Sequence, residues 1–218
     1  MAILTILLAA AVALLLATLG EVAFERIGFD PLEFALILVV TLAGSAVNIP
    51  VGHVRSEGRF VEVQEVRVFG LYYRIPRIGY GQVSTMIAVN LGGAIIPVLV
   101  SIYLLAGHLS LLLGAALGSV MMAVLVHVMA RKVKGVGIVT PALLPPVAAA
   151  LIAFLVAPGS PAVVAYVSGT LGALVGADLS NLRGISELGA PVVSIGGGGT
   201  FDGVFLTGIV AVFLVAIL

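Results

Sequence analysis

The sequence predicts an all-α polytopic membrane protein of about seven transmembrane helices with a small cytoplasmic β-hairpin. Three observations carry this. Of the 218 residues, 61% are apolar and 9% are charged, against about 25% charged in an ordinary soluble domain. Mean hydropathy is +1.30. The apolar residues gather into runs of roughly 18–25, the length a helix needs to cross a hydrocarbon core. This composition excludes a disordered chain and leaves residues 1–218 as one integral membrane domain. Lys+Arg and Asp+Glu both number 10, so no net positive charge points to a nucleic-acid partner. There is no cysteine, hence no disulfide framework, thiolate metal site or cysteine nucleophile.

The first run, residues 1–19, precedes the first basic residue, Arg26. A secretory signal would carry its basic residues ahead of the run, so this one reads as a retained helix. The second run is 32–54 and the third 82–106. A break at Gly107-His108 leads to the fourth, 109–130, which Arg131, Lys132 and Lys134 follow at once. The fifth, 135–157, stops at Pro158-Gly159-Ser160-Pro161, a breaker cluster. The sixth is 162–179 and the seventh 201–218.

Basic residues orient the spans. Arg55, Arg59, Arg67, Arg74 and Arg77 fall between runs two and three, Arg131, Lys132 and Lys134 between four and five, and Arg183 between six and seven. All but Arg26 therefore lie in three loops on one side. These loops are expected in the cytoplasm, the N-terminus inside and the C-terminus outside, in the cell membrane. Within the 55–81 loop, Phe60 to Val68 is rich in β-branched residues, Phe69-Gly70 can turn, and Leu71 to Ile75 can return. This is the expected hairpin. It can cap the helix ends or bind an extended peptide along its edge.

Ionisable groups inside a bilayer are costly and point to function. Asp178 closes run six and Asp202 opens run seven. Both fall at the cytoplasmic end of adjacent spans. Asn48 in run two, Asn90 in run three, and Thr140 and Pro141 at the start of run five fall at the same depth. The string Ala-Val-Asn occurs twice, ending at Asn48 and at Asn90. The segment 183–203 is glycine-rich, with Gly196 to Gly199 followed by Thr200. The apolar stretch Pro191 to Ile195 ahead of it suits a segment that re-enters the bilayer. Gly198, Gly199 and Thr200 would then meet a substrate or ion. Gly169, Gly172 and Gly176 form a small-residue face for close helix packing. No metal-ligand spacing is present, and the glycine run lacks the Lys-Ser/Thr of a phosphate-binding loop. No cofactor is implied.

The strings Val89-Asn90-Leu91-Gly92-Gly93-Ala94-Ile95-Ile96-Pro97, Pro141-Ala142-Leu143-Leu144-Pro145-Pro146, Gly176-Ala177-Asp178-Leu179 and Gly199-Thr200-Phe201-Asp202-Gly203 carry a resemblance. The chain resembles a family of archaeal and bacterial multi-pass membrane proteins catalogued as domain of unknown function sixteen-fourteen. That resemblance brings a family name but no activity. A second one, of constellation, is to presenilin-like and prepilin-peptidase-like intramembrane aspartyl proteases. It implies Asp178 and Asp202 as a catalytic pair, with Pro141-Ala142-Leu143 as the nearby third element. Here that string precedes both Asp, and Gly199-Thr200-Phe201 stands where those proteases carry Gly-x-Gly.

Two functions follow as expectations. The first is a transporter or channel for a small solute or ion, in which broken helices and the two Asp form the site. The alternative is an intramembrane aspartyl peptidase acting on a peptide substrate, in which two close carboxylates share one proton. A non-catalytic membrane scaffold is the third reading. The bilayer itself is the expected partner in each.

Overall fold

The computed structural model of the chain describes residues 20, 23–68, 71–133, 137–187, 192–197 and 203–218. Run one, the tetraglycine residues Gly198 and Gly199, Thr200 and Asp202 lie outside them.

Helices form the larger part of the described chain: α1 (Pro31–Gly44), α2 (Ile96–Gly107), α3 (Leu112–Met129), α4 (Leu144–Val156), α5 (Pro161–Ala173) and α6 (Gly203–Ile217). The strands are β1 (Asn48–Val68), β2 (Leu71–Asn90), β3 (Arg131–Val133), β4 (Gly137–Val139) and β5 (Val192–Ile195). Among the described residues, two helices are long and apolar enough to cross a membrane, Leu109–Met129 and Pro161–Gly184. Four more are apolar but shorter: Pro31–Gly44, Leu91–Gly107, Leu144–Val156 and Gly203–Ile217.

The shortening has a local cause in the first three. Run two becomes helix only to Gly44, and the chain is extended from Asn48. Pro50 cannot donate in a helix, and Pro50 and Gly52 flank a bulge in the β1–β2 ladder. Run three is extended up to Asn90 and turns helical only at Leu91. The hairpin therefore reaches from Asn48 to Asn90, well beyond the expected 55–81 loop. Its register pairs Glu65 with Arg74 and Glu62 with Arg77. Run five starts as β4 and becomes helix only at Leu144, where Pro145 opens the first turn. Proline there lacks only a donor that would be unpaired anyway, so it starts the helix instead of kinking it.

Three helix ends are accounted for by named side chains. Asp30 and Glu33 form a reciprocal capping box at α1, with Glu33 N–H donating to Asp30 Oδ1 at 2.8 Å and Asp30 N–H to Glu33 Oε2 at 3.0 Å. Asn90 accepts from Gly93 N–H at 2.7 Å and caps the helix that α2 continues. The Arg26 guanidinium donates to the Val215 carbonyl at 3.4 Å, placing a cation at the C-terminal end of α6.

The bundle is arranged around α5, most of which is buried; α3, α4, α6 and α2 all pack against it. Glycine permits the closest approaches. A Cβ on Gly176 would lie 3.0 Å from Ala123 Cα and from Val126 Cβ, and one on Gly169 would lie 3.2 Å from the Thr207 carbonyl. On α3 the arrangement is inverted. Ala115, Gly118, Met122 and Val126 face inward, whereas Leu113, Leu117, Val120, Val124 and Val128 are exposed as one stripe. The larger aliphatic side chains are thus mostly outside and the smaller ones inside.

Candidate functional site

The central helix does not end at Asp178. After Ala173 it widens into a π-helical turn, Leu174–Asp178, and tightens into a 3-10 segment, Leu179–Glu187. Such a change of pitch frees backbone carbonyls, and the next polar side chains take them up. Ser180 Oγ donates to the Val175 carbonyl at 2.7 Å. The buried Asn181 amide donates to the carbonyls of Ala177 at 2.9 Å and Gly176 at 3.2 Å. Ser180 and Asn181 were not among the expected site residues. Their signal was two polar residues directly after a small-residue helix that already ended on an Asp.

Asp178 sits half-buried at this break. Its Oδ2 accepts from the Gly196 amide at 2.7 Å. Gly196 and Gly197 have φ of +81° and +102°, a left-handed conformation that glycine adopts without penalty. Gly196 is doubly constrained, because a Cβ there would meet Ala94 at 2.5 Å. The turn thus rests on the first turn of the helix after Asn90 and presents its amide to the carboxylate. Beneath it Ala94, Ala173, Leu174 and Val204 form a small apolar floor, with Val89, Val98 and Ile195 against it.

The stretch ahead of this turn is β5, which pairs in parallel with β2, Met86–Val89 against Val192–Ile195. Asn48 and Asn90 are direct register partners at the hairpin base. The Asn90 amide donates to the Ser45 carbonyl at 2.7 Å and to Asn48 Oδ1 at 3.1 Å. Asn48 Oδ1 also accepts from Ser194 Oγ at 2.5 Å. The repeated Ala-Val-Asn string is thereby explained: its two Asn face each other across an antiparallel ladder. The two amides tie β1, β2 and β5 to α1 and α2. Those bonds use both functional groups of Asn90, so its visible role is to join elements.

Thr140 and Pro141 lie at the other side of the break. β4 packs against the Leu174–Asp178 turn. A Cβ on Gly203 would lie 3.3 Å from Thr140 Oγ1, so the segment after β4 touches the start of α6. Gly203 follows Asp202 in the chain. Thr140 and Pro141 also line an open cavity of about 560 Å³ with Val128, Met129, Arg131, Val139 and Leu144. A smaller one of about 280 Å³, lined by Arg26, His108, Val215 and residues 159–163, lies at the N-terminal end of α5. Among the described residues no three His, Asp or Glu side chains gather closely enough to hold a metal ion.

The structure thus brings Asn48, Asn90 and Ser194 together, and Asp178 with Gly196; it sets Thr140 beside the start of α6. No curated protein and no solved structure matches the chain. The family profile described as protein of unknown function (DUF1614) matches residues 42–214, which include Asn48, Asn90, Thr140, Asp178 and Asp202. The chain belongs to that family.

Proposed function

We propose that the chain is a multi-pass protein of the cell membrane, N-terminus inside and C-terminus outside, that moves a small solute or ion through a site built on Asp178. The break in the central helix carries this reading. A carboxylate stands where a buried helix changes pitch, held by the amide of a glycine turn. Discontinuous helices with freed backbone groups are how many transporters bind ions at membrane depth. A carboxylate there can exchange its backbone donor for a proton or a cation. The apolar stripe of α3 supports the embedding, because large exposed aliphatic side chains suit lipid and not water. Basic residues on three loops support the orientation. Reporter fusions at Gly70 and Pro158 should report opposite sides of the membrane, since three spans are proposed between them; same-side readings would break the topology.

The transport reading is tested with the purified chain in liposomes loaded with a pH-sensitive dye, under an imposed potassium diffusion potential with Na⁺ or K⁺ outside. Wild type should show proton or cation flux above protein-free liposomes, and Asp178→Asn should lose it. Flux that survives the substitution would remove Asp178 from the mechanism.

The intramembrane aspartyl peptidase is the second reading, favoured by one specific observation. The segment at Thr140 touches the start of α6, and β4 packs on the turn that ends at Asp178. Gly203, which follows Asp202 in the chain, and the turn that ends at Asp178 thus both pack on residues just ahead of the Pro141-Ala142-Leu143 string. In this reading one ionised Asp activates a water and the other, protonated, polarises the scissile carbonyl. Cleavage of a labelled single-span peptide by wild type, lost in both Asp178→Asn and Asp202→Asn, would establish it over transport. No cleavage above the variants would end it.

A further inference from the structure

We infer that the 560 Å³ cavity at the end of α3 is a binding site for an anionic phospholipid, with its phosphate on Arg131 and an acyl chain between Val128 and Leu144. This rests on the membrane embedding proposed above and not on ion binding at Asp178. The lining sets the chemistry of the occupant. Five of the seven lining residues, Val128, Met129, Val139, Pro141 and Leu144, are apolar; Arg131 and Thr140 are the polar ones. An occupant must therefore be apolar over most of its length and anionic at one end.

The position sets its origin. Val128 is 79% exposed and Leu144 54% exposed, and Val128 continues the exposed stripe of Leu113, Leu117, Val120 and Val124. The cavity is therefore continuous with the surface that faces lipid. Arg131 stands two residues past the end of α3, which puts its side chain at the level of lipid headgroups. A guanidinium offers a planar fork that matches phosphate oxygens. Lys132, next to Arg131 in β3, adds charge of the same sign at this end of α3. Basic pockets at the ends of membrane helices select acidic headgroups. A choline headgroup would bring its own cation into this positive field.

The test is native mass spectrometry of the full chain in detergent, equilibrated with equal amounts of dioleoyl phosphatidylglycerol and dioleoyl phosphatidylcholine. Wild type should retain one phosphatidylglycerol in preference. Arg131→Gln should lower that occupancy about tenfold, the scale of one lost charge-assisted bond, and Arg131→Lys should lower it less. Val128→Trp, which fills the groove and leaves Arg131 in place, should also lower it. Equal retention of the two lipids by wild type, or unchanged retention in Arg131→Gln, would overturn the proposal. Displacement of the lipid by millimolar inorganic phosphate would overturn it as well, by showing a site for free phosphate. Alkaline carbonate washing of membranes keeps the two readings apart. A chain that stays in the pellet without lipid preference fails the lipid site alone, whereas one released to the supernatant fails the embedding.

Discussion

The two helices of spanning length, Leu109–Met129 and Pro161–Gly184, differ in mean hydropathy, 2.3 against 1.5, and far more in burial. Of the most apolar window, 22% is buried in the first and 78% in the second. The first ends on Met129 without a change of pitch after its opening turn. It turns large aliphatic residues outward and small ones inward. The second is enclosed on every side that α2, α3, α4 and α6 offer, is packed through glycines, and breaks at Leu174–Asp178. Hydropathy alone makes a span; burial makes a place where a polar group can be held in a defined geometry. In this chain the outer helix carries the surface and the buried, broken one carries the carboxylate.

Substitutions can break that contrast, beginning with the largest effect. Gly176→Leu should destabilise by about 3 kcal/mol, the upper range for overpacking, because Ala123 backbone and Val126 Cβ stand 3.0 Å from the new Cβ. A lowered thermal unfolding midpoint in detergent would show it, and an unchanged midpoint would mean that the two helices are not this close. Asn90→Ala should cost ~2–3 kcal/mol, since it leaves the Ser45 carbonyl and Gly93 amide without their partner. The same measurement reads it. Asn181→Ala should cost ~1–2 kcal/mol through the freed carbonyls of Gly176 and Ala177, again read as a lowered unfolding midpoint. At the small end, Val124→Ala on the outer stripe should change stability by no more than ~0.5 kcal/mol. A large loss there would show that the exposed stripe is covered by protein.

Much of this contrast was legible in the sequence, and the illegible part has physical causes. The run before Arg131 was readable as a helix because nothing interrupts it. Asp178, Asn48 and Asn90 were recognisable as polar residues set in apolar runs. The extent of the hairpin was not. Asn48 to Val54 and Gln82 to Val89 are short apolar stretches, and such stretches suit strand and helix equally. Pro50 and Gly52 were the readable warning. The π-helical turn was not legible either, since no local propensity marks it; Gly172 and Gly176 beside it pack close on α3. The anchor of Asp178 came from Gly196, eighteen residues away, a partner that spacing alone does not reveal.

The central proposal is that the break in the buried helix is the working site, built on Asp178, and that Asp202 acts with it. The most direct test is the flux assay on Asp178→Asn, Asp202→Asn and the double variant, each checked for unchanged elution and unfolding midpoint. Asn keeps the volume of Asp and much of its hydrogen bonding, so folding should hold in all three. The account predicts that each single variant loses flux at least tenfold and that the double is no worse than either, as for groups that act together. A double variant whose loss equals the product of the two single losses, or an Asp178→Asn variant that still conducts, would contradict it.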